Sequence, residues 1–406
     1  MEQLCALMAD PQRAQPAIHL TGTNGKGSTA RMLTSLLVAS GLTVGTYTSP
    51  DLEGVNERLA RNGQPIGDDD LAEVVGAVAG LEELSGQRLT RFEILTLAAL
   101  RWFADIAVDV AVVEVGMAGR WDATNVVDGA VAVVTNVGLD HTELLGPTRA
   151  HIAREKAGIV KPGSTLVLGE TDPELRPIFE EAGADRIWHR GVDLDCTTNR
   201  VAVGGRALDL RTPARSYTDV FLPLHGAHQG DNAAAAVAAA EALFGRGLSD
   251  EVVREGLAQV EVPGRFEILG RHPLVVLDGA HNPDGGRAAA ATLDDFSVAG
   301  RRILVVGMSR GRVATEMLDA LDARLAALVI ACAVDWGRAM PAEEVAAGAR
   351  MLDAETEVVP DVAEAARRAL AVASPDDVVL VTGSLYVVGA ARSALRAAEV
   401  PRRHER

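Results

Sequence analysis

The chain has few cysteines and no long hydrophobic run. Its three cysteines, Cys5, Cys196 and Cys332, lie far apart and lack metal-site spacing, so we expect free thiols in a reducing compartment. No run approaches the roughly 18 apolar residues of a membrane-spanning helix, and the first residues lack the basic-then-apolar order of a secretion signal. We therefore expect a cytoplasmic protein that does not enter a membrane.

Positive charge is also scarce. The chain has 39 lysine and arginine residues against 56 aspartate and glutamate residues, which gives a formal net charge of −17. This balance argues against nucleic acid as the main partner, whereas a small anionic substrate needs only a few local basic groups. Hydrophobic residues make up 48% of the 406 positions, which is enough to bury the cores of two or more domains.

A glycine-rich stretch, Gly22-Thr23-Asn24-Gly25-Lys26-Gly27-Ser28-Thr29, lies between an apolar run and an amphipathic one. Glycines let the backbone approach a phosphate closely, and the N–H groups at a helix start attract anions. In such loops the lysine reaches the β- and γ-phosphates, and a hydroxyl, here that of Ser28, holds Mg²⁺. Only two residues separate Gly22 from the Gly25-Lys26 pair, which is shorter than the generic spacing. A plain strand-to-helix turn is the alternative interpretation.

Strand-like and helical patterns alternate over the first part of the chain. The apolar runs 110–115 and 130–135 are continuous, which is typical of parallel strands covered on both faces. The segment 193–222 is β-prone and rich in turns, and it predicts a small antiparallel insertion. An alanine-rich helix is predicted over 232–244, with Asp231 as its N-cap.

Pro263-Gly264 marks the best domain boundary, so we predict domains at 1–262 and 263–406. A second alternating pattern follows the boundary, with helical runs between its strands. Its predicted strands are 274–277, 302–306, 327–330 and 378–381. The predicted fold class is α/β: a P-loop ATPase domain with a mainly parallel sheet, followed by a Rossmann-like, doubly wound α/β domain.

The glycine loop closely resembles that of the Mur ligase superfamily, in its folylpolyglutamate synthase / dihydrofolate synthase branch. Three more motifs share the resemblance: Leu139-Asp140-His141-Thr142, Glu155-Lys156-Ala157-Gly158-Ile159 and Asp278-Gly279-Ala280-His281-Asn282-Pro283. The resemblance implies an ATP-dependent ligase, acting through an acyl phosphate. It implies dihydropteroate, reduced folates and L-glutamate as substrates, and a monomeric protein.

The resemblance also assigns a metal site to the first domain. The implied metal ligands are Ser28, Ser49, Glu114, His141 and Lys156. Lys156 is implied to be carbamylated and to bind a second Mg²⁺; an amine adds CO₂ only when neutral, which requires burial and a lowered pKa. The residues alone leave other interpretations open: an ordinary turn at Ser49, a structural ion pair at Glu114 and a solvated charge at Lys156. The resemblance also admits a monovalent cation such as K⁺.

The same resemblance implies how ATP and the substrates are held. The nucleotide is expected on Thr23–Thr29, with Asn232 at the adenine and with Arg265 and Asp278 closing on it from the second domain. The implied catalytic residues are Lys26, His141, Lys156, Arg265 and His281. Ser384 is expected near the amino-acid site, and Phe92 lies where it could contact the pterin, although a core role fits it equally.

The chain departs from the family pattern in two loops. Asp51 stands where the family usually has histidine, and Gly307-Met308-Ser309-Arg310-Gly311-Arg312 stands where it often has an aspartate-rich loop. Two further functions therefore stay open. One is a related ligase that joins an amino acid to a non-folate carboxylate, such as a cell-wall precursor. The other is an ATP-binding regulatory protein that has lost catalysis.

Overall fold

The computed structural model describes residues 1–296 and 299–399, without the side chains of residues 83, 84, 398 and 399. The chain divides into two compact units. Unit 1 comprises Met1–Pro223 and His228–Glu261, and unit 2 comprises Leu224–Ala227 and the chain from Val262 onward. The division lies beside the predicted boundary at Pro263-Gly264. The sequence pattern did not indicate that the segment Leu224–Ala227 belongs to unit 2.

The main sheet of unit 1 is mostly parallel. Its strands are β1 (Ala17–Thr21), β2 (Val44–Tyr47), β3 (Leu59–Arg61), β4 (Gln64–Pro65), β5 (Val110–Glu114), β6 (Gly129–Val134), β7 (Thr165–Leu168) and β8 (Arg186–His189). In the described residues their order is β4-β3-β2-β5-β1-β6-β7-β8, and the antiparallel pairs are β2 with β3 and β3 with β4. Every residue of β5 is buried, as its continuous apolar run predicts for a central parallel strand.

Helices flank this sheet. They are α1 (Glu2–Leu7), α2 (Lys26–Ala39), α3 (Asp68–Ser85), α4 (Arg91–Asp105), α5 (Thr142–Leu145), α6 (Arg149–Ala157), α7 (Arg176–Glu180), α8 (His228–Phe244) and α9 (Asp250–Ala258). The alanine-rich helix α8 begins before the predicted start at Asn232. The prediction of Asp231 as its N-cap is therefore wrong: Asp231 lies in the first turn, where its carboxylate pairs with Arg190 at 2.6 Å.

The segment predicted as an antiparallel insertion forms a separate sheet in unit 1. Its strands are β9 (Asp195–Ala202), β10 (Gly205–Arg211) and β11 (Ser216–Leu222), with β10 in the middle and antiparallel to both neighbours. None of the helices that the structure describes is long and apolar enough to cross a membrane.

Unit 2 is a second α/β fold. Its strands are β12 (Glu267–Arg271), β13 (Leu274–Leu277), β14 (Arg302–Val306), β15 (Leu328–Ala333), β16 (Thr356–Asp361) and β17 (Val378–Thr382). Their order is β12-β13-β17-β14-β15-β16, and all neighbours pair in parallel except β12 with β13. The helices are α10 (Pro283–Asp294), α11 (Ala314–Ala320), α12 (Ala342–Arg350), α13 (Val362–Val372) and α14 (Leu385–Glu399). The doubly wound pattern is as predicted, with β12 and β16 added at the two edges.

Candidate active site

A glycine loop connects β1 to α2, and it is held in place before any ligand binds. α2 begins at Lys26, and Gly25 before it has φ 83°, a left-handed conformation that favours glycine. The Asn136 side-chain oxygen accepts the N–H of Asn24 at 2.9 Å, and the Thr135 hydroxyl donates to the Asn24 carbonyl at 2.6 Å. The segment after β6 therefore fixes the shape of a phosphate-binding loop.

The ammonium of Lys26 lies across this loop. Its Nζ donates to the carbonyls of Gly22 at 2.9 Å and Thr23 at 3.4 Å. Phosphate oxygens are stronger acceptors for an ammonium than these neutral carbonyls. The hydroxyls of Ser28 and Thr29 are buried in the first turn of α2, and Thr29 Oγ1 has no hydrogen-bond partner among the described residues.

Asn232 lies directly against the loop. A methyl group on Gly25 would overlap the Asn232 side-chain oxygen. The Asn232 Nδ2 donates to Gln229 Oε1 at 3.0 Å, which fixes the amide in this position. The structure thus brings Asn232 of α8 to the predicted nucleotide loop, and its contact with adenine stays a prediction.

Glu114, the last residue of β5, brings a carboxylate to the same edge of the sheet. Glu114 is 3% exposed, and its Oε2 accepts the N–H of Ser49 at 3.1 Å. A methyl group on Gly27 would lie 3.6 Å from the same oxygen. The parallel strands β2 and β5 therefore place the Ser49 loop and a buried carboxylate beside the first turn of α2. A buried carboxylate favours a cationic partner.

This donor set fits Mg²⁺. No three His, Cys, Asp or Glu side chains in the described part of the chain form a ready-made metal cage. Mg²⁺ commonly takes one or two carboxylates and completes its coordination with phosphate oxygens and water. The Glu114 carboxylate, beside the first turn of α2 that carries Ser28 and beside a phosphate loop, meets that need.

His141 lies at the start of α5, where its φ is 51°. Its imidazole contacts the carboxylates of Asp140 and Glu143, each at 3.8 Å, and is 39% exposed. The role of His141 as a metal ligand stays a prediction.

Lys156 lies in the last turn of α6 and is 3% exposed. Burial, and then the nearby ammonium of Lys26, lower the pKa of Lys156 from 10.5 to about 7, against the opposing effect of Asp140 and Asp122. A large fraction of this amine is therefore neutral near pH 7. The structure thus supplies the condition that CO₂ addition requires.

Asp122 is a candidate active-site residue that the sequence analysis did not assign to the site. Its carboxylate accepts the N–H of Met117 at 2.9 Å and the hydroxyl of Thr124 at 2.6 Å. Burial raises the pKa of Asp122 more than these hydrogen bonds lower it. The Thr124 hydroxyl also lies 2.9 Å from Nε2 of His19, and burial lowers the pKa of that imidazole to about 3. A neutral His19 therefore donates to Thr124, which donates to Asp122. The sequence signal for Asp122 was its place in the stretch Asp122-Ala123-Thr124-Asn125, which resembles the family pattern but was given no role in the site.

Phe92, near the start of α4, supplies an aromatic surface at the same edge. Its ring packs directly on the backbone of Gly116, which follows β5, and lies 6.0 Å from the ring of Tyr47 at the end of β2. Phe92 is only half-buried, so part of its ring stays accessible. This position is compatible with contact to the pterin and equally with a role in the core, the two interpretations made from the sequence.

In unit 2, the structure brings Arg265, Asp278 and His281 together. The Arg265 guanidinium donates to the Gly279 carbonyl at 3.0 Å, and Nδ1 of His281 lies 2.9 Å from the same oxygen. The Asp278 carboxylate accepts the N–H groups of Phe266 and Ala280, each at 2.9 Å. Asp278 therefore joins the segment before β12, which carries Arg265, to the loop after β13, which carries His281.

Ser384 follows β17 and is 5% exposed. Its hydroxyl accepts the N–H of Tyr386 at 3.3 Å, and the N–H of Gly383 donates to the Ala280 carbonyl at 3.0 Å. The turn that carries Ser384 therefore lies beside the loop of Asp278 and His281. Within unit 2 the predicted residues occupy one edge of the sheet.

Comparisons with known proteins identify this arrangement. Residues 20–240 match the family model of the Mur ligase middle domain, and residues 264–385 match that of the Mur ligase glutamate ligase domain. The Bacillus subtilis dihydrofolate synthase/folylpolyglutamate synthase is 35% identical over 98% of this chain and 94% of its own. The chain belongs to the Mur ligase family, and within it to the dihydrofolate synthase/folylpolyglutamate synthase group.

Some relatives are longer than this chain. A Haloferax volcanii protein named as a bifunctional folylpolyglutamate synthase/dihydropteroate synthase is 40% identical over the whole of this chain, which spans 49% of that relative's length.

Solved structures agree with the fold. The Mycobacterium tuberculosis folylpolyglutamate synthase complexed with ADP and AMPPCP superimposes with a TM-score of 0.91 and 34% identity, covering 97% of this chain and 93% of that one. The Yersinia pestis bifunctional folylpolyglutamate synthase/dihydrofolate synthase complexed with AMPPNP and Mn has a TM-score of 0.86 and 32% identity, covering 97% and 92%.

Proposed function

We propose that this protein is an ATP-dependent ligase that adds L-glutamate to the carboxylate of dihydropteroate and of reduced folates. The acceptor carboxylate attacks the γ-phosphate of ATP to give an acyl phosphate and ADP, and the glutamate amine then displaces phosphate. The observation that carries this proposal is the convergence of a phosphate loop and the buried carboxylate of Glu114 at one edge of the unit 1 sheet. The nucleotide complexes of the relatives support it.

The chemical barrier is repulsion between an anionic carboxylate and an anionic phosphate. In the proposed reaction, Lys26 exchanges the carbonyls of Gly22 and Thr23 for phosphate oxygens, and the loop N–H groups bind the developing charge. The loop is already fixed by Thr135 and Asn136, so little reorganisation opposes binding.

Ser28, Ser49 and Glu114 would hold Mg²⁺, which neutralises the phosphate charge and orients the phosphates when bound. The neutral amine of Lys156 adds CO₂ and loses a proton, which gives an anionic carbamate. This carbamate and His141 would together bind a second cation. Burial of Lys156 supports this step, because it keeps the amine neutral near pH 7. A monovalent cation such as K⁺ is part of the same proposal.

We assign the remaining predicted residues to binding. Asn232 contacts the adenine and Phe92 contacts the pterin through its accessible ring face. Arg265, Asp278 and His281 act on the nucleotide, and Ser384 acts on glutamate. Their grouping at one edge of unit 2 supports a shared role.

We further propose that the protein is a cytoplasmic monomer. Its three cysteines form no disulfide, as suits a reducing compartment. Light scattering of the purified chain tests the monomer, and fluorescence imaging of a tagged chain in its own cell tests the location.

The test offers dihydropteroate and tetrahydrofolate in parallel, each with ATP, Mg²⁺ and L-glutamate, and reads phosphate release and product mass. A gain of one glutamyl residue on both acceptors is the expected result. A gain on one acceptor restricts the activity to that acceptor. If neither acceptor supports phosphate release, although the protein binds ATP, the folate assignment is overturned and a non-folate acceptor is favoured. Lys26→Ala should abolish ligation while the melting temperature stays close to that of the parent.

A further inference from the structure

Three loops meet at the carboxyl edge of the unit 2 sheet. They follow the adjacent strands β17, β14 and β15. The N–H of Gly307 donates to the Thr382 carbonyl at 3.3 Å, and the N–H of Met340 donates to the Met308 carbonyl at 2.8 Å. The loop after β14 is thus tied to both neighbours, one of which leads directly into Ser384.

This edge carries an unusual concentration of positive charge. The loop after β14 contains Arg310 and Arg312, the loop after β15 contains Arg338, and the only acidic residue in either loop is Asp335. The N–H of Arg310 donates to the Arg338 carbonyl at 2.8 Å, so two exposed arginines are held next to each other. Positive charges on neighbouring side chains repel each other, and an anion that binds beside them reduces this repulsion.

Neighbouring carboxylates do not neutralise this pair. The Nε of Arg310 donates to a backbone carbonyl, that of Ala339, at 3.1 Å. Within the described ranges, neither Arg310 nor Arg338 has a carboxylate within ion-pair distance. Many other arginines of unit 2 do, including Arg301, Arg324 and Arg368. In a chain with a net charge of −17, this edge is a local site of attraction for anions.

Two aromatic rings adjoin the arginines. Trp336 is 41% exposed and its ring centroid lies 4.8 Å from that of Tyr386, two residues beyond Ser384. The Arg338 guanidinium lies 6.0 Å from the Trp336 ring. The exposed ring beside the arginines can offer apolar contact to the carbon chain of an organic anion, which an inorganic ion does not use.

We propose that Arg310, Arg338 and Trp336 bind the α-carboxylates of the γ-glutamyl tail on the acceptor. This inference rests on the proposed function. Each γ-linked glutamyl residue keeps one ionised α-carboxylate, so a tail is a flexible polyanion of variable length. An open edge with arginines on two loops suits such a ligand, whereas an incoming amino acid needs an enclosed site that fixes its amine.

The test compares acceptors with tails of different length, among which the tetrahydrofolates differ in nothing else. Dihydropteroate, and tetrahydrofolate with one, three and five glutamates, are offered to the parent and to the double variant Arg310→Gln/Arg338→Gln. We expect KM for the triglutamate and pentaglutamate to rise roughly fivefold or more, with KM for glutamate and ligation of dihydropteroate unchanged. Asp335→Asn should lower KM for the long tails, because it removes the local negative charge.

Arg324→Gln is the matched control. It removes one positive charge, as each substitution of the double variant does, at an exposed arginine just before β15, at the opposite end of that strand. We expect it to leave all these constants unchanged. Titration calorimetry of the full chain with free penta-γ-L-glutamate supplies a readout independent of ligation. Binding should be lost in the double variant and weakened by high salt.

Several results would overturn the inference. A rise in KM for glutamate with every acceptor would assign the edge to the incoming amino acid. If the double variant changes KM equally for all acceptors, or changes it for none of them, this edge does not bind the tail. If the parent ligates none of these acceptors, the proposed function fails. The calorimetric titration still decides whether the edge binds glutamyl chains.

Discussion

The carboxylate of Glu114 accepts a hydrogen bond from the backbone N–H of Ser49, with 3.1 Å between the two atoms. This contact joins the end of β5 to the loop after β2. It aims a carboxylate that is 3% exposed toward the first turn of α2. In the proposed reaction, Glu114 is therefore the residue on which we expect metal binding to depend most directly.

We expect Glu114→Gln to lower ligation at least about 100-fold and to raise the Mg²⁺ concentration needed for half-maximal rate. The amide keeps the shape of the side chain but removes its charge. Thermal stability should not fall, since a buried charge is removed. A variant with parent activity and parent Mg²⁺ dependence would exclude Glu114 from the metal site.

Gly25→Ala should abolish nucleotide binding. Gly25 has φ 83°, and an added methyl group would overlap the side-chain oxygen of Asn232. Gly41→Ala is the control, because Gly41 has φ 89° and open space around it. The control should cost about 1 kcal/mol of stability and bind ATP normally. Titration of both variants with ATP compares them directly, and normal binding by Gly25→Ala would contradict the role of this loop.

Lys156 should make stability depend on pH. Its folded pKa of about 7 lies below the unfolded value of 10.5, because burial disfavours the ammonium. Between these two values the unfolded chain binds the proton and the folded chain does not, so the free energy of unfolding rises with pH. We expect the parent to gain stability relative to Lys156→Met between pH 7 and pH 10, measured by urea unfolding without bicarbonate. A constant difference over this range would show that Lys156 stays protonated.

Asp51 should stabilise the loop after β2 through Arg58. Their side chains are 15% and 8% exposed and lie 2.6 Å apart. Asp51→Ala should cost about 3 kcal/mol, because it leaves a buried guanidinium without its partner. Asp51→Leu/Arg58→Met should recover most of that loss. Equal stability of parent and Asp51→Ala would contradict the importance of the pair.

The contribution of Asp51 should also disappear in acid. Burial raises the pKa of Asp51, but Arg58 more than offsets this, so the net pKa is lowered below 3.8. A group with a lowered folded pKa stabilises the fold above its unfolded pKa and stops doing so as pH falls through the folded value. The difference between parent and Asp51→Ala should therefore shrink below about pH 4.

The sequence predicted best what depends on local pattern. The continuous apolar run 110–115 identified β5, and the glycine loop identified its helix and Lys26. It missed β12 and β16 because neither has a continuous apolar run: Gly270 interrupts one and Pro360 the other. Edge strands need less burial than central strands and so leave a weaker pattern.

Long-range contacts explain what the sequence did not indicate at the site. The residue type of Asp231 predicted an N-cap there, so the helix start at His228 and the Asp231–Arg190 ion pair were not foreseen. The hydrogen bonds that connect His19, Thr124 and Asp122 join residues about a hundred positions apart in the sequence. No local periodicity reports such pairs, because they depend on which strands become neighbours.

The most direct test of the central claim follows oxygen from the acceptor carboxylate. The acceptor is labelled with ¹⁸O in the carboxylate that becomes the amide, and ligation is run with ATP, Mg²⁺ and L-glutamate. Attack on the γ-phosphate predicts that one ¹⁸O appears in the released phosphate for each amide formed. Unlabelled phosphate alongside amide product would contradict an acyl phosphate and the proposed reaction with it.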